Sequence, residues 1–228
     1  DPGMTPTKVK VKICGLRSLE DVKACSKADA LGFIVATPGS RREIDLELAE
    51  RLMAAAAPGQ LRVAVTTATD PELLSQIAAA LRPDALQVHV ELPVRAWEEI
   101  RAAIPGGVKL YGLLGISDSI DEATLVEQAQ GLMLISAPLD ALVLDTKLAG
   151  RSGGTGAIHD WKKSRVVCAA IRPSPVILAG GLTPENVREA IEQVQPEWID
   201  VASGVEEAEG RKSPRKVEEL LREVRRWS

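Results

Sequence analysis

The sequence predicts an α/β protein, a single-domain (β/α)8 barrel of the TIM type. Three observations predict it. Eight short apolar runs rich in β-forming residues recur along the chain: VKVKIC, ALGFIV, LRVAVTT, ALQVHV, VKLYGLL, ALVLDT, SPVILAG and WIDVASG. Stretches rich in Ala, Leu and Glu follow most of them. Successive runs begin roughly 20 to 35 residues apart, the length of one strand–helix unit. Eight such units fit a chain of 228 residues, slightly below the usual size of this fold. The runs are almost continuously apolar, as strands are when both sheet faces are covered. The alternative is an open doubly wound sheet. That fold carries G-x-G-x-x-G after an early strand, whereas the first run here leads into CGLRSLE.

Each element can be justified in order. In VKVKIC, alternation puts Val9, Val11 and Ile13 on one side and Lys10, Lys12 and Cys14 on the other. The apolar side faces the outer helices, so Cys14 points inward with Lys12 beneath it. LEDVKACSKA then reads as a helix. ALGFIV is followed by the loop PGSRREI, residues 38–44, and by the helical LELAERLMAAAA. LRVAVTT precedes PELLSQIAAAL, and ALQVHV, with His89 inside it, precedes VRAWEEIRAAI. VKLYGLL leads to IDEATLVEQAQ. ALVLDT ends at Asp145 and runs into GRSGGTG, residues 150–156. SPVILAG ends at Gly180-Gly181, and a helix is expected to start at Thr183 with Pro184 in its first turn. WIDVASG ends at Ser203-Gly204. The last stretch, KSPRKVEELLREVRRWS, interleaves Glu218, Glu219 and Glu223 with its basic residues, the pattern of a solvated helix face.

Composition narrows the classes. Hydrophobic residues make up 45% and charged residues 26%, but aromatics only 3%, so Ala, Val, Leu and Ile must do the packing. No apolar run reaches the roughly 18 residues of a membrane span, and no secretory signal is visible. The net charge of −4 argues against nucleic acid as a partner. Three widely spaced cysteines without a C-x-x-C speak against a disulfide framework or a zinc site, and a reducing cytoplasm is the expected setting. Two histidines cannot build a multi-histidine metal site. Asp1-Pro2-Gly3 reads as an addition ahead of a natural start at Met4, so the domain is expected to span 4–228.

In a barrel of this kind the chemistry sits at the C-terminal ends of the strands. Cys14 is there, and a cationic Lys12 would lower its pKa from about 8.5; the alternative is a small buried hydrophobe. Cys25 and Cys168, within helical stretches, read as buried filler. Asp145 at the end of an apolar run is either a catalytic acid or a loop-capping carboxylate. Glycine pairs at two adjacent strand ends let backbone N–H groups approach a phosphate. Arg41 and Arg42 could grip an anionic substrate bidentately or be solvated turn residues. His89 reads as a polar lining residue and His159 as structural or exposed.

Taken together, KICG, ADALGF, LDT with GGTG and Asp160-Trp161, LAGGLTPENV and DVASGVE resemble the phosphoribosylanthranilate isomerase family of tryptophan biosynthesis. The resemblance runs from Lys10 to about Lys216. It implies a (β/α)8 barrel and an Amadori rearrangement of a small phosphorylated substrate, with no cofactor, no metal, and a monomer or homodimer. By this resemblance Cys14 is the general base and Asp145 the general acid. Arg42 holds the anthranilate carboxylate, and Gly154, Gly156, Gly180, Gly181, Ser203 and Gly204 belong to phosphate loops; His89, as a polar lining residue, is expected to contact the substrate. The chain departs from the family pattern at Val90 in place of a glycine, at Ala64-Val65-Thr66 in place of Gly-Val-Phe, and at Ala202 in place of a serine. Two other readings remain: the related aminoaldose isomerase of histidine biosynthesis, which uses two aspartates, and a phosphate-ligand binder without turnover. Alternation also points Asp200 inward, toward Lys12.

Overall fold

Eight parallel strands close into a ring in this computed structural model, which describes residues 8–148, 151–152, 156–207 and 210–226. They are β1 (Lys10–Cys14), β2 (Ala30–Ile34), β3 (Leu61–Thr66), β4 (Ala85–Val88), β5 (Lys109–Ile116), β6 (Ala141–Leu148), β7 (Val176–Leu178) and β8 (Trp198–Val201). Each pairs with the next, and β8 pairs back onto β1 with Lys12 beside Asp200. A two-residue strand, Arg151–Ser152, returns antiparallel on the end of β6. Residues 1–3 and Gly154 lie outside the described residues. No helix among the described residues is long and apolar enough to cross a membrane.

The outer layer is α1 (Leu19–Ala24), α2 (Leu46–Ala54), α3 (Pro71–Leu81), α4 (Val94–Ala103), α5 (Glu122–Gln130), α6 (Trp161–Ile171), α7 (Val187–Val194) and α8 (Pro214–Arg225). Local chemistry starts six of them. Ser18, Asp45, Asp70, Asp121, Asp160 and Ser213 each accept a hydrogen bond from a first-turn amide, which stabilises a helix by about 1 kcal/mol. α7 begins later than the Thr183 start that the sequence led us to expect. Thr183 N–H donates to Asn186 Oδ1 at 2.8 Å and Asn186 N–H donates to Thr183 Oγ1 at 3.3 Å, so a closed turn forms before the helix does. α5 continues through a π-helical turn, Gly131–Ile135, that no sequence pattern announced.

The two-residue period of the strands divides the core in two. Val11, Ile13, Leu31, Phe33, Leu86, Leu110, Leu142, Leu144 and Ile199 pack outward against helix residues such as Trp97, Leu125 and Val167. Cys14, Val63, Val65, Ala85, Tyr111, Leu113, Ala141, Val143, Ile177 and Ala179 pack inside the ring. The same alternation carries Lys12, Gln87, Asp145 and Asp200 to the inside. β6 continues past Asp145 to Leu148, so this carboxylate lies within the strand rather than at its end. β4 stops at Val88, which puts His89 just beyond the strand.

His159 is buried behind this layer. One ring nitrogen faces Thr146 Oγ1 at 3.0 Å and the other Ser164 Oγ at 2.5 Å. Burial pulls its pKa down to about 4, against the opposing pull of Asp145 and other carboxylates. The unfolded chain titrates near 6.5 and so binds the extra proton first. Stability from this group is therefore present at neutral pH and is lost as pH falls through that window. Urea unfolding at pH 7 and 4.5 should show wild type losing about 2–3 kcal/mol more than His159→Gln; equal losses would show that His159 does not titrate this way.

Candidate active site

Cys14 closes β1 with its side chain inside the ring, beside Gly32 of β2. Glycine at 32 makes the room. A Cβ there would stand 2.8 Å from Cys14 Sγ and 3.2 Å from Lys12 Nζ. One pleat below, Lys12 is 1% exposed and donates to Asp200 Oδ2 at 2.8 Å. Burial disfavours its charge, but Asp200 and then Cys14 outweigh that and hold the ammonium above its ordinary pKa. The sequence led us to expect a thiol pulled down by Lys12. Instead, burial pushes the Cys14 thiol up, more than Lys12 and Lys212 pull it down, and Asp200 adds to the rise. Desolvation wins because the sulfur is enclosed, so the resting group is a thiol with an ammonium at hand.

Asp145 stands on β6, across β7 and β8 from Cys14. Thr146 N–H donates to its Oδ1 at 2.7 Å, and His89 Nε2 lies 3.0 Å from its Oδ2. His89 Nδ1 in turn lies 3.1 Å from Gln87 Nε2. An amide nitrogen only donates, so Nδ1 accepts and Nε2–H donates to Asp145, a tautomer assigned by the network. Gln87 Oε1 and Asp200 Oδ1 are buried without a partner among the described residues. His89 therefore reaches the acid directly, which its place in the sequence did not reveal.

The loops after β7 and β8 flank the gap between these groups. Gly180 has φ 98, in the left-handed region, and a Cβ there would run into Thr146 Oγ1 and stand 2.9 Å from Asp145 Oδ1. Gly181 packs on the backbone of Ala157, just past Gly156. A Cβ on Gly204 would collide with Leu182 O, so the last two loops touch through a glycine. Ser203 opens a 3-10 turn, Ser203–Val205, and is exposed.

Of the two arginines in PGSRREI, Arg42 is the one whose side chain lies beside Cys14. Its Cδ would be 2.5 Å from a Cβ on Gly15, so its stem lies across the backbone next to Cys14. Nε donates to both carboxylate oxygens of Glu206 at 3.2 and 3.0 Å, and Nη2 donates to Oε1 at 2.5 Å. Arg41 is exposed, and its carbonyl accepts from Arg17. Sequence reasoning missed Glu206 and Lys212. Lys212 has a fully buried side chain and donates to Ala202 O at 3.1 Å and Glu206 Oε2 at 3.3 Å. Burial opposes the Glu206 charge, but Arg42 and Lys212 outweigh it and hold the carboxyl below its ordinary pKa. The one signal was the acid that ends DVASGVE, whose serine and glycine drew notice first. Among the described residues, no group of three or more His, Cys, Asp or Glu could hold a metal ion.

The chain as a whole is similar to known proteins. Residues 11–223 match the family model described as N-(5'phosphoribosyl)anthranilate (PRA) isomerase. An N-(5'-phosphoribosyl)anthranilate isomerase from Methanothrix thermoacetophila is 37% identical over 218 residues, covering 95% of this chain and 98% of its own. The structure of the enzyme of that name from Pyrococcus furiosus is 31% identical with a TM-score of 0.78, over 96% of this chain and 99% of its own. A phosphoribosyl anthranilate isomerase solved with reduced 1-(o-carboxyphenylamino)-1-deoxyribulose 5-phosphate is 30% identical with a TM-score of 0.76, over 95% and 98% of the two chains. The chain belongs to the N-(5'-phosphoribosyl)anthranilate isomerase family.

Proposed function

We propose that this chain isomerises N-(5'-phosphoribosyl)anthranilate to 1-(2-carboxyphenylamino)-1-deoxyribulose 5-phosphate, the tryptophan-pathway reaction of its family, with Cys14 as base and Asp145 as acid. One observation carries the assignment of roles. A thiol backed by an ammonium and a carboxylate backed by an imidazole both point into the ring, from β1 and β6, with two glycine-turned loops between them.

The Cys14 thiol first passes its proton across the pocket to the Asp145 carboxylate, leaving a thiolate beside Lys12, and Asp145 gives that proton to the furanose ring oxygen. The bond from that oxygen to C1 breaks, and the nitrogen lone pair forms a C1=N iminium. Cys14 then takes the C2 proton, and the C–H electrons form the C1–C2 double bond of an enolamine. Its hydroxyl proton passes to the Asp145 carboxylate as Cys14 gives its proton to C1, yielding the ketone and returning both groups to their starting states. Proton count is conserved, and each transfer is expected to contribute on the order of 10²–10⁴-fold. Thr146 N–H and His89 N–H hold the carboxylate that remains after donation. Lys12 and the new iminium offset the cost of a buried thiolate. The backbone at Gly180, Gly181, Ser203 and Gly204 takes the phosphate, and Arg42 takes the anthranilate carboxylate.

The test is direct. Purified chain given N-(5'-phosphoribosyl)anthranilate should turn it over without added metal, followed by the change in anthranilate fluorescence. The aminoaldose substrate of histidine biosynthesis should turn over far more slowly. Turnover of the second substrate alone, or binding of a product analogue without any turnover, would reject the proposal.

A further inference from the structure

We infer that Glu206 is a positioning residue that aims Arg42 and thereby sets the preference for an arylamine bearing a carboxylate. The inference rests on the proposed function. A guanidinium has five N–H donors and two edges that can each grip a carboxylate. Glu206 occupies the side edge, through Nε and Nη2. The end edge, Nη1 with the second hydrogen of Nη2, is left over, and among the described residues no acceptor for Nη1 is found. An arginine on a loop would ordinarily sample many rotamers. Here its stem is pinned on Gly15 and its side edge is clamped by a carboxylate that is 6% exposed. That carboxylate cannot swing away, because Lys212 holds its other oxygen from within the protein. Two basic groups share one acid, so the cluster keeps positive character for an incoming anion. The end edge is thus pre-aimed, and the substrate need not order it.

A merely structural ion pair would affect all ligands alike, whereas an aiming role affects only ligands with the carboxylate. Two reduced product analogues separate these cases: 1-(o-carboxyphenylamino)-1-deoxyribulose 5-phosphate and its counterpart lacking the ring carboxylate. Titration calorimetry would compare wild type, Arg42→Ala, Glu206→Gln and Glu206→Ala. Wild type should prefer the carboxylated analogue by roughly 10–100-fold, the range of a charge-assisted paired hydrogen bond. Arg42→Ala should abolish the preference. Glu206→Ala should lose most of it while binding the other analogue within about twofold of wild type, and its KM should rise more than its kcat falls. Glu206→Gln, nearly the same in shape, should fall between and carries the test should the alanine variant fail to fold. Retention of the full preference in both variants, or equal weakening toward both analogues, would overturn the inference. A wild type that binds neither analogue would instead overturn the proposed function and this inference with it.

Discussion

Cys14→Ala and Asp145→Asn are each expected to lower kcat by about 10²–10⁴-fold while the barrel stays folded, because in the proposed mechanism each removes one partner of a proton transfer. In activation terms this is about 3–5 kcal/mol. Folding should survive because neither change opens a large hole. Alanine at 14 removes one sulfur from a site where Gly32 already leaves space, and asparagine keeps an oxygen for the Thr146 N–H. Single-turnover rates and thermal melts on the same samples check both halves. Either variant retaining more than a tenth of wild-type kcat would remove that residue from the assigned role. Cys14→Ser is the informative companion, since a buried hydroxyl beside Lys12 has the shape of the thiol without an accessible anion.

Lys12→Met is expected to cost about 3–5 kcal/mol of stability, since it strands the Asp200 carboxylate inside the barrel. That carboxylate is poorly served already, because its Oδ1 has no partner among the described residues. The Lys12 pKa is raised above its unfolded value, so the stabilisation is complete below that unfolded value and fades only as pH rises through the folded one. The full loss should thus appear at neutral pH. The same change removes the charge that opposes the rise of the thiol, so the basic limb of kcat/KM should move to higher pH. Combining Lys12→Met with Asp200→Leu should recover most of the stability and part of the shift in the pH profile, because Asp200 itself adds to the rise of the thiol. A single-variant loss under about 1 kcal/mol in urea unfolding would show that the pair is not the buried linkage described here.

Period and position decide which parts of this were legible. The alternation of VKVKIC told inside from outside for Lys12 and Cys14, and that of WIDV did the same for Asp200, because a strand offers only two faces. The Lys12–Asp200 pair therefore follows from two local patterns and ring closure. Other features depend on quantities no local pattern holds. The direction of the thiol shift is a contest between burial and charge, and burial is known only once the ring is packed. His89 meets Asp145 across β5, a contact set by the tilt of strands and not by spacing. Glu206 and Lys212 lie in a connection without periodicity; Glu206 reaches Arg42 from 164 positions away, and Lys212 holds Glu206. The family resemblance supplied the roles proposed for Cys14, Asp145 and Arg42, and alternation supplied Lys12, but the residues that hold Asp145 and Arg42 came from geometry.

The linkage between the first and last strands has a consequence for the chain as it leaves the ribosome. Lys12 and Asp200 are 188 positions apart, and the Lys212 amide that binds Asp21 Oδ1 at 2.9 Å is 191 positions from it. At about 5–20 residues per second, the ammonium waits roughly 10–40 s for its counter-ion. Until then water must solvate that charge, so the nascent ring stays wet and unsealed, and competence arrives with the eighth strand as a single late event.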